Sequence, residues 1–363
     1  MKKLFFFCSA ALLWGCKILP ENAASLSVSE SADVFSAAVW NLQALFDGEE
    51  SGGEYDEYLA SAGWTAEKFK ARVNAISDAL LSLNAAPPDL IGLVEVENPG
   101  VLEALAKNSL AKYGYKWTGF AGMPGSSLGL GVLSRRPLKE MKVHSLTSGT
   151  ATIPRPVLEV RVEAGEKPLV FFICHWKSKL GGDDATEALR RAAAKVLARR
   201  IGELAAEDPA LPVIVMGDLN ENHDEFYRRG SAVVTALLPD EPEAAAIAAA
   251  ASAGGAGSAG DYLVISGRRQ TRAAYFDAPA LYSPWWDGEL TRGSYFYSGN
   301  WETIDHLLLN AALFDGADWE FASCAAGADA PFTGQNGRPA AYNPRSGLGL
   351  SDHLPLNLLL KRE

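Results

Sequence analysis

Six places along the chain set an acid, amide or imidazole residue inside or directly after a short apolar run. They are Trp40-Asn41, Val94-Glu95-Val96-Glu97-Asn98, Cys174-His175-Trp176-Lys177-Ser178-Lys179, Gly217-Asp218-Leu219-Asn220, Ile304-Asp305-His306 and Ser351-Asp352-His353. One such Asp or His would read as a helix cap or a satisfied core group. Capping does not explain six, because each follows a strand-like segment, where a rigid sheet can aim side chains. A buried carboxylate without a partner is costly, so an acid-rich cluster implies a cation or a protonated His beside it. Oxygen donors with few His suit a hard ion, Mg²⁺ with Mn²⁺ or Ca²⁺ as substitutes. No CxxC or Cys/His spacing points to zinc. Such an ion neutralises phosphate charge in phosphoryl transfer. An Asp-supported His can take a proton from water, and Asn with a second His can donate hydrogen bonds to phosphate oxygens. A serine-hydrolase reading of Ser351-Asp352-His353 fails, because triad members come from separate segments. A P-loop and a paired dinucleotide fingerprint are also missing.

The elements that must position these residues are short and alternate in type. Candidate strands are Val34–Trp40, Leu90–Val94, Leu130–Leu133, Val157–Val162, Leu169–Cys174, Val213–Met216, Ile304–Leu309 and Leu354–Leu359. Phe69, Val73, Ile76, Leu80 and Leu83 recur at helical spacing, as do Leu189, Ala193, Leu197, Ile201 and Leu204, which predicts two amphipathic helices. Asp184 with Glu187 three residues later resembles a capped start for the second, whose other face carries Arg190, Arg191, Lys195, Arg199 and Arg200 as a solvated run. Residues 243–260 are nearly all Ala, Gly and Ser and predict a short Ala helix followed by a loop. Strands continue on both sides without a linker, so residues 33–363 read as one large α/β domain.

Composition bounds the classes. The 363 residues carry 33 Lys+Arg against 44 Asp+Glu, a net charge of −11, with 48% hydrophobic and 21% charged residues. That is enough to bury a core and excludes a disordered chain or a bundle of membrane spans. The acidic balance argues against gripping nucleic acid through overall charge, though not against a local basic patch. At the N-terminus, Lys2 and Lys3 precede an apolar run from Leu4 to Trp14 that is too short to span a bilayer and suits a signal peptide, residues 1–16. Leu13-Trp14-Gly15-Cys16 resembles a bacterial lipobox, with Cys16 lipidated and residues 17–32 a flexible tether holding the domain off a membrane. The alternative is a secreted protein cut near Ala23-Ala24. Either reading exports the chain. Cys174 and Cys324 then remain; Cys174 reads as a buried small hydrophobe, and a bridge between the two is open.

In order, Trp40-Asn41, Leu93-Val94-Glu95-Val96, Leu130-Gly131-Val132-Leu133-Ser134-Arg135, His175-Trp176-Lys177-Ser178, Gly217-Asp218-Leu219-Asn220, Ile304-Asp305-His306 and Ser351-Asp352-His353 resemble the endonuclease/exonuclease/phosphatase superfamily. That group includes pancreatic deoxyribonuclease, exonuclease III, sphingomyelinases and inositol-polyphosphate phosphatases. The resemblance spans about residues 34–360. It implies a four-layer α/β sandwich, two mixed β-sheets face to face with helices outside and a metal site at one edge. It also implies roles. Glu95 is similar to the principal metal ligand, Asn41 sits beside metal and phosphate, and Asp352 is a further acidic ligand. His353 resembles the base that activates water and Asp305 its orienting partner. His175 resembles a second His that contacts the phosphate and can act as acid. Asp218 and Asn220 resemble the pair that holds nucleophile, phosphate or a second metal. Arg155 lies where some nucleases place a phosphate-binding Arg, and it also suits a structural part. His306, next to Asp305 on a strand, should face away from the site, whereas Glu97 shares the parity of Glu95.

The His-x-Lys-Ser-Lys run from His175 is most similar to secreted bacterial nucleases of this superfamily, so nucleic acid is the expected substrate, acted on by a monomer. Lys177, Lys179, Arg135, Arg136 and Arg155 are the expected basic rim for a phosphate backbone, against plain surface charge. Two other readings stand beside this one. A sphingomyelinase-like or other phosphoester hydrolase would use Tyr282-Ser283-Pro284-Trp285-Trp286 and Tyr295-Phe296-Tyr297 to touch lipid. A surface lipoprotein would keep the fold for binding alone.

Overall fold

The structure is a computed structural model that describes residues 17–18, 33–148, 151–253, 260–269 and 272–362. The expected signal segment with Cys16, and most of the expected tether, lie outside the described residues. In chain order the first half forms β1 (Lys17–Ile18), β2 (Val34–Leu45), α1 (Ala66–Ser82), β3 (Leu90–Val96), α2 (Pro99–Ala106), β4 (Trp117–Ala121), β5 (Gly129–Ser134), β6 (Leu138–Ser148), β7 (Ala151–Val162) and β8 (Leu169–His175). The second half forms α3 (Asp183–Glu207), β9 (Val213–Asp218), α4 (Glu225–Arg228), β10 (Leu237–Pro239), α5 (Pro242–Ala253), β11 (Leu263–Ser266), β12 (Ala280–Tyr282), α6 (Pro284–Asp287), β13 (Tyr295–Tyr297), β14 (Asn300–Glu302), β15 (Asp305–Leu309), β16 (Trp319–Ala326) and β17 (Leu356–Arg362).

β8 is apolar at nearly every position because both of its faces are covered. Phe171 and Ile173 point into the core between two sheets, where they meet Phe35, Val39 and Val94, while Val170, Phe172 and Cys174 point outward onto Leu197 and Ile201 of α3. The seven-stranded sheet runs β1-β4-β5-β3-β2-β17-β16 and the eight-stranded sheet β10-β11-β12-β15-β9-β8-β7-β6, both mixed. On the outer face of the first sheet, Val73, Ile76 and Leu80 of α1 and Leu102 and Leu105 of α2 pack on Trp40, Ile91 and Leu93. Helices outside two facing sheets make the four-layer sandwich that the sequence implies.

Every expected strand is present, with ends shifted by a few residues; β1, β4, β6, β10, β11, β12, β13, β14 and β16 were not expected. The Ala-rich helix is α5, and residues 254–259 after it lie outside the described residues. β1 pairs with Trp117 and Thr118 of β4, so the first two residues of the expected tether rest on a sheet edge. Cys174 and Cys324 are free and buried in different cores.

Two expectations about α3 are corrected. Its N-cap is Gly182, with no side-chain cap, and Glu187 turns inward to accept hydrogen bonds from Arg190 (2.6 Å) and the Ala236 amide (2.8 Å). Arg190 and Arg200 are buried, not solvated. At three and four residues from Ala193 and Ala194, and from Leu197 and Leu204, they lie on the apolar stripe itself, each paired with a buried acid, Arg190 with Glu221 and Arg200 with Glu159.

Candidate active site

Strand register brings the site together. His175, Asp218 and Asp305 are cross-strand neighbours on β8, β9 and β15. Facing them, Asn41 is the last residue of β2 paired with β3 before a register shift that ends at Leu45–Val96, and Glu95 sits one residue past its partner Val94. Glu95 has φ 64°, and the β3–β5 register shifts there, so a bulge turns its carboxylate out of the pleat toward the other sheet. Gly217 has φ 137°, and a Cβ there would lie 2.1 Å from the Cys174 carbonyl; only glycine lets β9 run this close to β8 just before Asp218. Ser351 ties the last segment in: its Oγ donates to the Asn41 carbonyl (2.6 Å) and accepts from the His353 amide (3.1 Å), while Trp40 Nε1 donates to the His353 carbonyl (2.9 Å).

His353 Nδ1 bonds Asp305 Oδ2 at 2.7 Å, and Ser294 Oγ donates to the same oxygen at 2.6 Å. The other ring nitrogen, Nε2, lies 4.0 Å from Asp218 Oδ2 and 4.0 Å from Asp352 Oδ1. Tyr295 stacks on the imidazole, with centroids 4.6 Å apart at 28°. Burial opposes the charged ring, but Asp305, through charge and hydrogen bond, and then Asp352 and Asp218 outweigh it and push the imidazolium up to about 10. Burial pushes the Asp218 carboxyl up to about 7, against the opposing charge of His353. His175 Nε2 lies 3.6 Å from Glu95 Oε1 and 3.7 Å from Asp218 Oδ2. Burial, then Arg155, His353 and Lys177, drive its pKa well down and keep the ring neutral.

Asn41 Nδ2 donates to Asp218 Oδ2 (3.0 Å) and more weakly to Glu95 Oε1 (3.4 Å). Asn220 donates through its amide to Asp218 Oδ1 (2.9 Å) and through Nδ2 to the Trp176 carbonyl (3.1 Å). Arg155 also donates to that carbonyl, and its charge acts on His175; Glu95 and Asp218 in turn act on Arg155. Asp352 is about a third exposed and, with Asp218 and Glu95, raises Tyr295 to about 12 after the larger effect of burial, which places all three acids around one ring.

Asp218, Asp305 and His353 offer ligand atoms within 4.8 Å of one another. Asp305 Oδ2, however, already accepts from His353 and Ser294, so this trio is a supported imidazole facing a carboxylate. The oxygen donors of Glu95, Asn41, Asp218 and Asp352 beside it fit a hard divalent ion: all are oxygens, and the acids outnumber the one guanidinium nearby.

The other expectations divide. His306 faces away and bonds the Glu221 carbonyl at 2.8 Å. Glu97 does not follow Glu95, because the bulge breaks the parity; it accepts the Asp47 amide at 2.6 Å, and burial with the charges of Asp47 and Glu54 pushes it up to about 7. The expected basic rim does not form as a unit. Arg135 and Arg136 pair with Asp89, six residues before Glu95 along β3 and so about 20 Å away. Lys179 is bound to Glu225 at 2.6 Å, and Lys177 donates to Ser178 Oγ and the Leu180 carbonyl within its own loop, leaving Arg155 at the centre. Sequence reasoning missed Ser294 and gave Ser351, though part of a quoted motif, no role, since a serine's hydrogen bonds are unknown until the fold sets it beside an Asp or an amide.

A model of the endonuclease/exonuclease/phosphatase family matches residues 36–242. The chain belongs to that family. The match holds Asn41, Glu95, His175, Asp218 and Asn220, and the fold adds Asp305 and His353 from beyond it. Among solved structures, a truncated Caenorhabditis elegans TDP2 is similar at TM-score 0.53 and 14% identity, over 90% of this chain and 97% of that one. The catalytic domain of human nocturnin is similar at 0.51 and 15%, over 93% and 96%. A mannosyl-6-phosphatase of Bacteroides thetaiotaomicron is similar at 0.50 and 15%, over 90% and 99%. Comparison with curated protein sequences finds no match. At these identities the likeness is one of fold. Members of the family are phosphoester hydrolases, typically dependent on a divalent metal, and the buried acid and imidazole groups described above agree with that chemistry.

Proposed function

We propose that this chain is a Mg²⁺-dependent phosphodiesterase acting on nucleic acid, DNA ahead of RNA. The observation that carries the reading is the Asp305–His353 pair, whose free Nε2 faces the space bordered by Asp218, Asp352 and Asn41. Water attacks phosphorus, its proton passes to Nε2, the imidazolium is held by Asp305, and the bond from phosphorus to the leaving oxygen breaks. Neutral His175 and Asn41 donate hydrogen bonds to the phosphate oxygens, and Arg155 supplies fixed positive charge. A divalent ion bound by Glu95, Asn41 and Asp352 would neutralise phosphate charge and offset the acids that keep His353 protonated.

A polymeric substrate is supported by a cleft of about 630 Å³ that opens from Asn220 and Tyr295 between the loop at Ser178–Gly181 and the β13–β14 hairpin. Tyr297 stands 63% exposed at its rim, stacked parallel to Tyr295 (6.2 Å, 11°), a surface on which a base can stack. The lipid reading loses Tyr282 and Trp285, which are buried in the core, and keeps Trp286, Tyr295, Phe296 and Tyr297. Export, with a lipid on Cys16 holding a monomer at the membrane, rests on the N-terminal sequence alone.

The test is the purified full chain on supercoiled plasmid, sphingomyelin and a sugar phosphate, with and without Mg²⁺. Plasmid nicking that needs metal, falls about 10²- to 10⁴-fold in His353→Ala and is lost in Glu95→Ala supports the reading. Cleavage of another phosphoester with plasmid intact replaces the substrate. Silence on all three favours the binding role. In cells, membrane association that survives Cys16→Ser removes the lipid anchor.

A further inference from the structure

Arg72 of α1 is 2% exposed, yet among the described residues no carboxylate hydrogen-bonds it. Its guanidinium instead makes four hydrogen bonds, three of them to carbonyls of one turn. Nη2 donates to the carbonyls of Leu42 and Gln43 (2.8 Å for Gln43), and Nη1 to the Ala44 carbonyl (2.9 Å) and the Tyr58 hydroxyl (3.1 Å). Its Cζ lies 3.8 Å from the ring centroid of Tyr342. A buried charge is costly, so a fold that places one against three consecutive carbonyls must gain something from holding them.

Those carbonyls belong to a strained turn. Gln43 and Ala44 have φ of 51° and 58°, a left-handed conformation that residues with a Cβ rarely adopt, and β2 leaves register with β3 between Asn41 and Leu45. The same turn feeds the site from its other side. The Gln43 amide donates to Asn41 Oδ1 at 3.0 Å, and the Ala44 amide donates to Glu95 Oε2 at 2.8 Å. Tyr342 completes the clamp: its amide donates to Gln43 Oε1 (2.7 Å), and its carbonyl accepts from Gln43 Nε2 (3.2 Å).

We infer that Arg72 is a positioning residue for the metal site: its planar fork holds the left-handed Gln43–Ala44 turn, whose amides fix Asn41 and the Glu95 carboxylate for a divalent cation. This rests on the metal reading above. The fork matters more than the charge, because three carbonyls and a hydroxyl are reached at once by one rigid group. A Lys ammonium offers fewer donors in no fixed plane.

The experiment measures Mn²⁺ binding to the full chain by titration calorimetry, without substrate. It compares wild type, Arg72→Lys, Arg72→Met and Arg200→Met, each checked for folding by circular dichroism and melting temperature. Arg200 is another buried arginine, paired with Glu159 and outside the site. The expected result is Mn²⁺ affinity weakened about tenfold to a hundredfold in Arg72→Met, the loss typical of removing a group that orients metal ligands. Arg72→Lys should lose part of this, while Arg200→Met melts earlier but binds Mn²⁺ as wild type does. Arg72→Lys keeps the stem and the charge and carries the test if Arg72→Met does not fold. Either folded Arg72 variant binding Mn²⁺ within about twofold of wild type overturns the inference and leaves the proposed function standing. A wild-type chain that takes up no Mn²⁺ overturns both.

Discussion

Two buried charge clusters lie on neighbouring strands of the eight-stranded sheet, and they are built on opposite rules. On its outer face, Glu159 of β7 takes two hydrogen bonds from Arg200 (2.8 and 3.0 Å) and one from His144 (2.7 Å), so one carboxylate meets a forked guanidinium and an imidazole. At the end of β8 and β9, Glu95, Asp218, Asp305 and Asp352 gather around two imidazoles, an amide and one guanidinium whose own bond goes to a backbone carbonyl. Burial raises both Glu159 and Asp218, but only Glu159 has partners that reverse it: it is held down to about 2, while Asp218 stays up at about 7. The first cluster is complete within the chain and serves the fold. The second gathers more acids than the chain's own cations pair, the imbalance expected of a site kept for chemistry.

The contrast breaks first, and with the largest effect, at Glu159. Removing Arg200 as Arg200→Met takes two of the three hydrogen bonds from a buried carboxylate, leaving His144, and should cost up to about 3–5 kcal/mol of unfolding free energy. Phosphoesterase activity per folded molecule should not change. The acid limb gives the sign independently. A carboxyl held at about 2 in the folded chain and at its ordinary 4.5 when unfolded contributes stability that is present above about pH 4.5 and lost as pH falls toward 2, about 3 kcal/mol in full. Urea unfolding between pH 6 and pH 3 should therefore show a smaller acid loss in Glu159→Gln than in wild type. Equal losses would mean that this pair stabilises nothing.

The same contrast explains what was legible in the sequence. Strand ends carrying Asn41, Glu95, His175, Asp218, Asp305 and His353 could be read because a polar residue breaking an apolar run is a local signal, and the fold gathers all six. Arg190 and Arg200 were misread, because a charge on a helix looks solvated until the acid opposite it, on a distant strand, is known. Arg135 and Arg136 were misplaced for a related reason: sequence shows that they follow a strand but not which end of the sheet that strand presents. Glu97 failed through a bulge, one left-handed residue at Glu95 that inverts the parity of everything after it. Ser351 and Arg72 act through backbone groups of remote segments and Ser294 through the Asp305 carboxylate, and no spacing rule reports such contacts.

The incomplete cluster is tested by completing it. A divalent ion that binds only the folded chain should stabilise wild type by about 2.7 kcal/mol at a hundredfold excess over its dissociation constant. Scanning calorimetry in Mg²⁺ against EDTA reads this as a rise in melting temperature. Arg200→Met should gain the same increment from a lower start, because its damage lies in the other cluster. Glu95→Gln should gain much less. If Glu95→Gln rises as far as wild type, the ion sits elsewhere and the charge imbalance at β8 and β9 is not what binds it.

The smallest effect belongs to the rim. Tyr295 is fixed by its stack on His353, whereas Tyr297 stacks only on Tyr295 and turns its other side to solvent, so the hairpin carries one ring for the site and one for the substrate. Stacking of a base on an aromatic is worth about 1–3 kcal/mol, and an exposed rim position falls at the low end. Tyr297→Ala should raise KM for an oligonucleotide about fivefold, the equivalent of about 1 kcal/mol. It should leave kcat, melting temperature and turnover of a small phosphodiester without a ring unchanged. A binding interaction made equally in the ground and transition states gives this pattern. A fall in kcat would instead show that Tyr297 acts through Tyr295 on the His353 ring, and the hairpin would then belong wholly to the catalytic cluster.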